Sequence, residues 1–478
     1  MFVHSKTFTQ VEDDGSLGEL VSLSAQFSER LDTVTSRGVL ALCGLPDDIG
    51  RLLVIGAWHA GWQVAMVPEH FSVSQRQVAL QTLQPSLLIA RNETLIEKAQ
   101  VLSLVLETDC DTLALDHWLG DPSDTFSLAS GYRWDSLDTA LILFTSGSSG
   151  TPKGVCHSLQ NIVTSANRFI DQFQLHSSQT LLNCAESHTM SGFRGSIMLP
   201  LMSACTIYDG EFERDLAGVL TALEESSANV MIIGPSLVRQ MARIGHKLTH
   251  LNQHLSLILC TGARLAAADK QHLYQTTRIM LLDYYGLTET GGLVIAESAQ
   301  NYQPESSSLG SACDDVDIVV VDKDGNESPF GIGELRIYTT GLFLGYFGGS
   351  LTQRRYFDTG DCVHIHESGN VEWLYRINRG FKSASTEWIF PDAVESWLKN
   401  NTRILDANVT PIIDDADRVR FDVHIKGIAA KDFEAWSQTT RDQLVAELGS
   451  DYDILTWHVD EQLQRTGLGK HHATANTN

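Results

Sequence analysis

Short apolar runs separated by amphipathic stretches recur over about the first 370 residues, a texture that predicts α/β layers with parallel strands. Gly38–Leu42, Leu87–Ala90, Thr139–Phe144, Val230–Ile233 and Leu255–Leu259 read as strands, and Gln75–Thr82 and Pro235–Ile244 as helices between them. After Gly310 the texture changes. Asp317–Asp322 runs into the turn signal Lys323-Asp324-Gly325-Asn326, and Gly333–Tyr338 follows as a further strand, so a smaller β-rich part is expected. Tyr375–Lys382 is polar and basic, Pro391–Lys399 reads as a helix, and mixed strands and helices continue to about residue 460. These shifts predict a large N-terminal domain over 1–377, built of two α/β parts and the β-rich part, and a small α+β domain over 378–478.

Length agrees, since 478 residues exceed what one hydrophobic core usually serves. Hydrophobic residues make up 43% and charged residues 19%, a balance ordinary for a globular fold. The net charge of -25 argues against a general nucleic-acid binder, which needs a basic face. No stretch approaches the roughly 20 apolar residues of a membrane span, and Met1–Gly15 carries no apolar signal core, so a cytoplasmic location is expected. The eight cysteines, at 43, 110, 156, 184, 205, 260, 313 and 362, include no Cys-x-x-Cys pair and read as free, buried thiols.

The chemistry begins where the run ending at Phe144 gives way to Thr145-Ser146-Gly147-Ser148-Ser149-Gly150-Thr151-Pro152-Lys153-Gly154. Glycines let backbone approach an anion, amides and hydroxyls can cradle phosphate oxygens, and Lys153 adds positive charge. Thr151-Pro152 separates Gly150 from Lys153, which is not the spacing of a P-loop kinase or GTPase. By composition alone this is an anion site or a flexible Ser/Gly loop.

The string resembles the signature of the adenylate-forming superfamily, which includes acyl-CoA synthetases, adenylation domains of peptide synthetases and luciferases. Further elements follow in the family's order. Ala57–Gly61 through Pro68 resembles its early helix and proline, for which packing is the simpler role. Thr261-Gly262-Ala263 resembles the turn laid against adenine, and Asp283-Tyr284-Tyr285-Gly286-Leu287-Thr288-Glu289 resembles Y-G-x-T-E. The resemblance implies that Tyr285 stacks on adenine and Thr288 holds the α-phosphate. It makes Glu289, together with Thr145, a ligand of Mg²⁺. Tyr356–Asp361 resembles F-x-T-G-D, which gives Asp361 the ribose hydroxyls. Tyr375–Lys382 resembles G-R-x-D-x-x-I-K, with Arg376 at the ribose or phosphate and Asn378 at the hinge. Ser383–Ile389 resembles K-S-G-G-E-W-I but carries an extra residue and lacks both glycines. Gln464–Lys470 resembles P-R-T-x-x-G-K and makes Lys470 the adenylation lysine, which stabilises charge spread over phosphate oxygens.

His188, in Glu186–Gly195, stands where the family's acid pocket has a histidine, and a satisfied core histidine is the simpler alternative. The Phe-Asp-x-Ser pattern of amino-acid-activating domains does not occur there. Arg194 is unusual in an apolar helix and is expected to pair with Glu186 or with a second substrate carboxylate. The implied reaction is ATP-dependent conversion of a small acyl or aryl acid to an acyl-adenylate. Transfer then follows to CoA or to the phosphopantetheine of an acyl or peptidyl carrier protein. An amino-acid ligase serving a carrier protein and a non-catalytic nucleotide-binding homologue remain as alternatives.

Overall fold

The computed structural model describes residues 15–34, 36–91, 103–105, 131–146, 152–203, 205–263, 265–377, 381–382, 388–389, 391–399, 404, 406–413, 419–429, 432–448 and 455–459. The chain forms two compact units. The first holds 1–211, 286–293 and 339–355, and the second holds 212–285, 294–338 and 356–478.

A seven-stranded sheet organises the first unit, in the order Gly345–Tyr346, Pro152–His157, Leu141–Ser146, Gln63–Val67, Val39–Cys43, Leu87–Ala90 and Ser103–Val105. Five neighbours from Leu141–Ser146 to Ser103–Val105 run parallel, and the first two strands pair antiparallel. The expected apolar runs are these strands because both faces are covered. Leu40, Leu42, Val64, Met66, Leu141 and Leu143 enter one core, while Val39, Ala41, Cys43, Ala65, Val67 and Ile142 enter another, as period-two alternation requires.

The helices Gly15–Val34, Asp47–His59 and Leu159–Phe173 contribute to the first core, and Val73–Leu83 to the second. Trp58 and Phe193 are buried in the first core, and the Trp58 indole donates to the Ala140 carbonyl (2.8 Å), so the early helix has a packing role. Gly56 is required by close approach: a Cβ there would lie 2.5 Å from the Ser24 carbonyl oxygen.

In the second unit Val230–Ile233 and Leu257–Cys260 pair in parallel with each other, and Leu257–Cys260 also pairs in parallel with the Met280–Asp283 part of the strand Met280–Leu287. The helices Pro235–Arg243 and Ala267–Thr277 carry a buried ion pair, Arg239 to Asp269 (3.1 Å). The expected β-rich part is a five-stranded antiparallel sheet in the order Glu327–Ser328, Asp317–Val321, Gly331–Tyr338, Phe357–Ile365 and Val371–Arg376. Farther along lies a smaller sheet of Asp406–Ile413, Val419–Lys426 and Leu455–Val459 with the helices Pro391–Lys399 and Phe433–Leu448. Val394, Leu398, Val409, Val423, Ile425 and Leu444 give it a core of its own. Seven cysteines among the described residues are free and buried. No helix among the described residues is long and apolar enough to cross a membrane.

Candidate active site

In the first unit, Leu141–Ser146 and Pro152–His157 are adjacent antiparallel strands, with Thr145 opposite Lys153 and Ser146 opposite Pro152. The Ser/Gly loop therefore leaves and re-enters the sheet at neighbouring positions. Its residues Gly147, Ser148, Ser149, Gly150 and Thr151 lie outside the described residues. Thr145 is half-buried and Lys153 is exposed. The Lys153 ammonium sits 5.6 Å from the centre of the Tyr346 ring.

Tyr346 also binds Glu289: its phenol donates to Oε1 (3.0 Å). Glu289 stands in the short turn Thr288–Thr290, which is closed by the Leu287 amide on Thr290 Oγ1 (2.9 Å) and the Phe343 amide on the Glu289 carbonyl (2.9 Å). Gly286, just before, has no room for a side chain, since a Cβ would fall 1.6 Å from the Gly292 carbonyl oxygen. Buried His157 lies against the Thr288 backbone. Burial pushes its imidazole down to about 4, with the Thr288 backbone offsetting part of the shift, so the ring is neutral at physiological pH. Lys153, Thr288 and Glu289 are thus grouped around two residues that the motifs do not name, Tyr346 and His157.

His188 lies between the Thr180–Asn183 strand and the Met190–Phe193 helical turn, which continues through a π turn, Arg194–Met198. Such turns are frequent at functional sites. His188 Nε2 is 3.5 Å from Glu186 Oε2, and its ring centre lies 5.0 Å from that of His70. Arg194 is 1% exposed. Its guanidinium lies over Phe169, 4.2 Å from the ring centre, and donates to Ser191 Oγ (3.3 Å) and the Gly291 carbonyl (3.4 Å). It thereby braces the chain just after the Glu289 turn.

In the second unit, Thr261-Gly262-Ala263 follows the Leu257–Cys260 strand. Thr261 Oγ1 donates to the Tyr284 carbonyl (2.9 Å), and Gly262 takes a φ of +103° that favours glycine. Gly262 and Ala263 keep half-buried surface, while Asp283 and Tyr284 are buried. The Asp283 amide donates to Glu297 Oε2 (2.8 Å), and Lys270 holds Glu297 Oε1.

Asp361, 2% exposed, collects three donors: Tyr285 Oη (2.6 Å) and Arg376 Nη1 (2.9 Å) on Oδ2, and Trp373 Nε1 (3.2 Å) on Oδ1. Burial, and then the Asp361 charge, push the Tyr285 phenol well above its ordinary value, so it remains a donor. Three expected positions, Tyr285, Asp361 and Arg376, therefore meet around one carboxylate. Trp373 was not legible as a site residue, since in Val371–Arg376 it reads as one position of a strand.

Phe381–Lys382 and Trp388–Ile389 pair as an antiparallel two-stranded ribbon. Asn378, residues 383–387 and Lys470 with its motif lie outside the described residues.

Each unit thus carries its own polar group: Glu289 with Tyr346 in the first, and Asp361 with Tyr285, Trp373 and Arg376 in the second. The family model described as AMP-binding enzyme matches residues 52–347, and the chain belongs to this family of adenylate-forming enzymes. It is 24% identical over 369 residues to the 2-succinylbenzoate–CoA ligase of Enterococcus faecalis, covering 74% of this chain and 72% of that one. It is 32% identical over 248 residues to the D-alanine–D-alanyl carrier protein ligase of Bacillus velezensis, covering 49% of each. The crystal structure of the anthranilate CoA ligase AuaEII in complex with anthranoyl-AMP superposes with a TM-score of 0.78 at 19% identity, over 95% of this chain and 89% of that one.

Proposed function

We propose that the protein uses ATP to activate a small acyl or aryl acid and then passes the acyl group to a thiol. In the first step a carboxylate oxygen attacks the α-phosphorus. The bond from that phosphorus to the bridging oxygen breaks, and pyrophosphate leaves. In the second a thiol sulfur attacks the acyl carbon, its proton goes to solvent, and AMP leaves. The thiol is that of CoA or of a carrier protein's phosphopantetheine; the relatives above include one ligase of each kind by name.

The observation that carries the reading is the Asp361 cluster. A buried carboxylate with two oxygens suits the vicinal hydroxyls of a ribose, and Arg376 and Trp373 hold it in place. Tyr285 offers its ring to adenine, with the half-buried Gly262 and Ala263 as the turn laid against it. Thr288 and Lys153 take phosphate oxygens, together with Thr145 and the Ser146–Thr151 loop. Glu289 and Thr145 offer hard oxygens of the kind Mg²⁺ selects, and Tyr346 fixes the Glu289 carboxylate. When bound, Mg²⁺ supplies charge neutralisation at the phosphates. By its motif Lys470 is assigned to the acid and the α-phosphate, and Asn378 to the hinge before a small domain over 378–478. His188 lines the place of the acid.

The test is pyrophosphate release over a library of acyl, aryl and amino acids, with CoA present and absent. Release with an acyl or aryl acid, and thioester only with CoA, supports the reading. Release with amino acids alone moves the assignment to a carrier-protein ligase. ATP binding without release on any acid moves it to a non-catalytic homologue.

A further inference from the structure

His70, Glu186 and His188 come from two distant stretches of the first unit and meet at one point. His70 stands in the turn after the Gln63–Val67 strand, where the Phe71 amide donates to the Pro68 carbonyl (3.2 Å) and the Phe71 ring is buried. Glu186 and His188 sit on a braced segment. Thr189 Oγ1 donates to the Glu186 carbonyl (2.8 Å) and accepts from the Gly192 amide (3.0 Å), while Asn183 holds both the amide and the carbonyl of Ala185 (3.2 Å each). Gly192 leaves no slack, since a Cβ there would lie 1.9 Å from the Glu186 carbonyl oxygen.

One ligand atom from each of the three side chains lies within 4.8 Å of the other two. Glu186 Oε2 and His188 Nε2 are 3.5 Å apart. Tetrahedral zinc with bonds of about 2.0–2.1 Å places its ligand atoms roughly 3.3 Å apart, so that edge is already close to formed. His70 is the exposed member, and its ring already lies beside that of His188, 5.0 Å between centres.

We propose that His70, Glu186 and His188 form a binding site for a zinc-like divalent transition metal, and that its occupancy blocks acid activation. Two imidazoles and a carboxylate are a zinc donor set with a fourth position open to water. Imidazole ligands select against Mg²⁺, which prefers oxygen, so the Mg²⁺ that accompanies ATP does not compete. The inhibitory part rests on the reading of His188 as a residue of the acid pocket: an imidazole fixed on a metal can no longer turn to admit or orient the acid.

The test titrates Zn²⁺ calorimetrically into the full-length protein and its His70→Ala variant without nucleotide. It then measures acid-dependent ATP–pyrophosphate exchange at buffered free Zn²⁺ with excess Mg²⁺. Any heat from two other groups of similar donors, His364–His366–Glu372 and Asp422–His424–His458, is common to both proteins and cancels in their difference. Wild type is expected to show one binding event that His70→Ala lacks, and Glu186→Gln is expected to weaken the same event. Exchange by wild type is expected to fall about tenfold with Zn²⁺ and to recover on chelation, while His70→Ala keeps the wild-type rate and resists Zn²⁺. Identical titrations for all three proteins overturn the site. A lost binding event with unchanged Zn²⁺ inhibition overturns its inhibitory role. If no acid supports exchange, the calorimetry still decides the metal site, and the failure belongs to the reading of the acid-activating function.

Discussion

Tyr285 and Asp361 are joined in the second unit by a 2.6 Å hydrogen bond from the phenol to carboxylate Oδ2, the same oxygen that accepts from Arg376. Tyr285→Phe keeps the ring proposed for adenine, and Arg376 and Trp373 still donate to Asp361 without the phenol. Tyr285→Phe is therefore expected to change the KM for ATP by less than about threefold. Tyr285→Ala, which loses the stacking surface, is expected to raise it about tenfold or more. Asp361→Asn places an amide donor among donors and removes the charge. It is expected to raise the KM about 10- to 100-fold. Steady-state kinetics in ATP check all three.

Glu289 depends on Tyr346 for its orientation. Tyr346→Phe removes one hydrogen bond to a charged group and keeps the ring under Lys153, so kcat/KM is expected to fall about fivefold to tenfold and to recover in part at high Mg²⁺. Glu289→Gln removes the charge, and excess Mg²⁺ is expected not to restore it. Mg²⁺ titrations of both variants separate positioning from binding.

His157 makes the fold sensitive to acid. Its folded value near 4 lies below the ordinary 6.5, so between those values the unfolded chain holds the proton and the folded chain does not. Its contribution is complete above pH 6.5 and is lost as pH falls toward 4. At about pH 4.5 the loss is on the order of 2–3 kcal/mol. His157→Leu is expected to flatten the stability profile by that amount, as read from denaturant unfolding at a series of pH values.

Lys270 and Glu297 are a buried pair behind the Asp283 backbone. Burial raises the Glu297 carboxyl and the Lys270 charge lowers it, so the ion depends on its partner. Lys270→Met leaves that carboxylate buried alone and is expected to cost about 3–5 kcal/mol. Adding Glu297→Gln, which still accepts from the Asp283 amide, is expected to recover much of the loss. Unfolding free energies of the single and double variants decide it.

The strands were legible where burial on both faces leaves an unbroken apolar run. Leu87–Ala90 and Val230–Ile233, buried throughout, coincide with their expected bounds; Asp317–Val321, buried only at Val320, comes within a residue because its β-branched run ends in a turn signal. The helix Gly15–Val34 was not legible. Its serines, glycines and threonine are weak helix formers, and Leu23, Phe27 and Leu31 hold it by packing into the first core. Among the candidate residues, Thr288, Glu289 and Asp361 stood out because they lie in contiguous motifs. Tyr346 and Trp373 did not, because their role comes from pairing between distant strands. Trp373 faces Val363 across a register shift at Cys362, and pattern alone does not show where an indole will find its acceptor. His70 is invisible for the same reason, since it acquires meaning only beside Glu186 and His188.

The central claim is adenylation of an acid. It is tested most directly by acid-dependent ATP–pyrophosphate exchange in wild type and in Lys470→Ala. The account predicts exchange that requires the cognate acid, proceeds without CoA, and falls about 100-fold or more in the variant. Exchange of equal rate in Lys470→Ala, or none with any acid of the library in wild type, would contradict it.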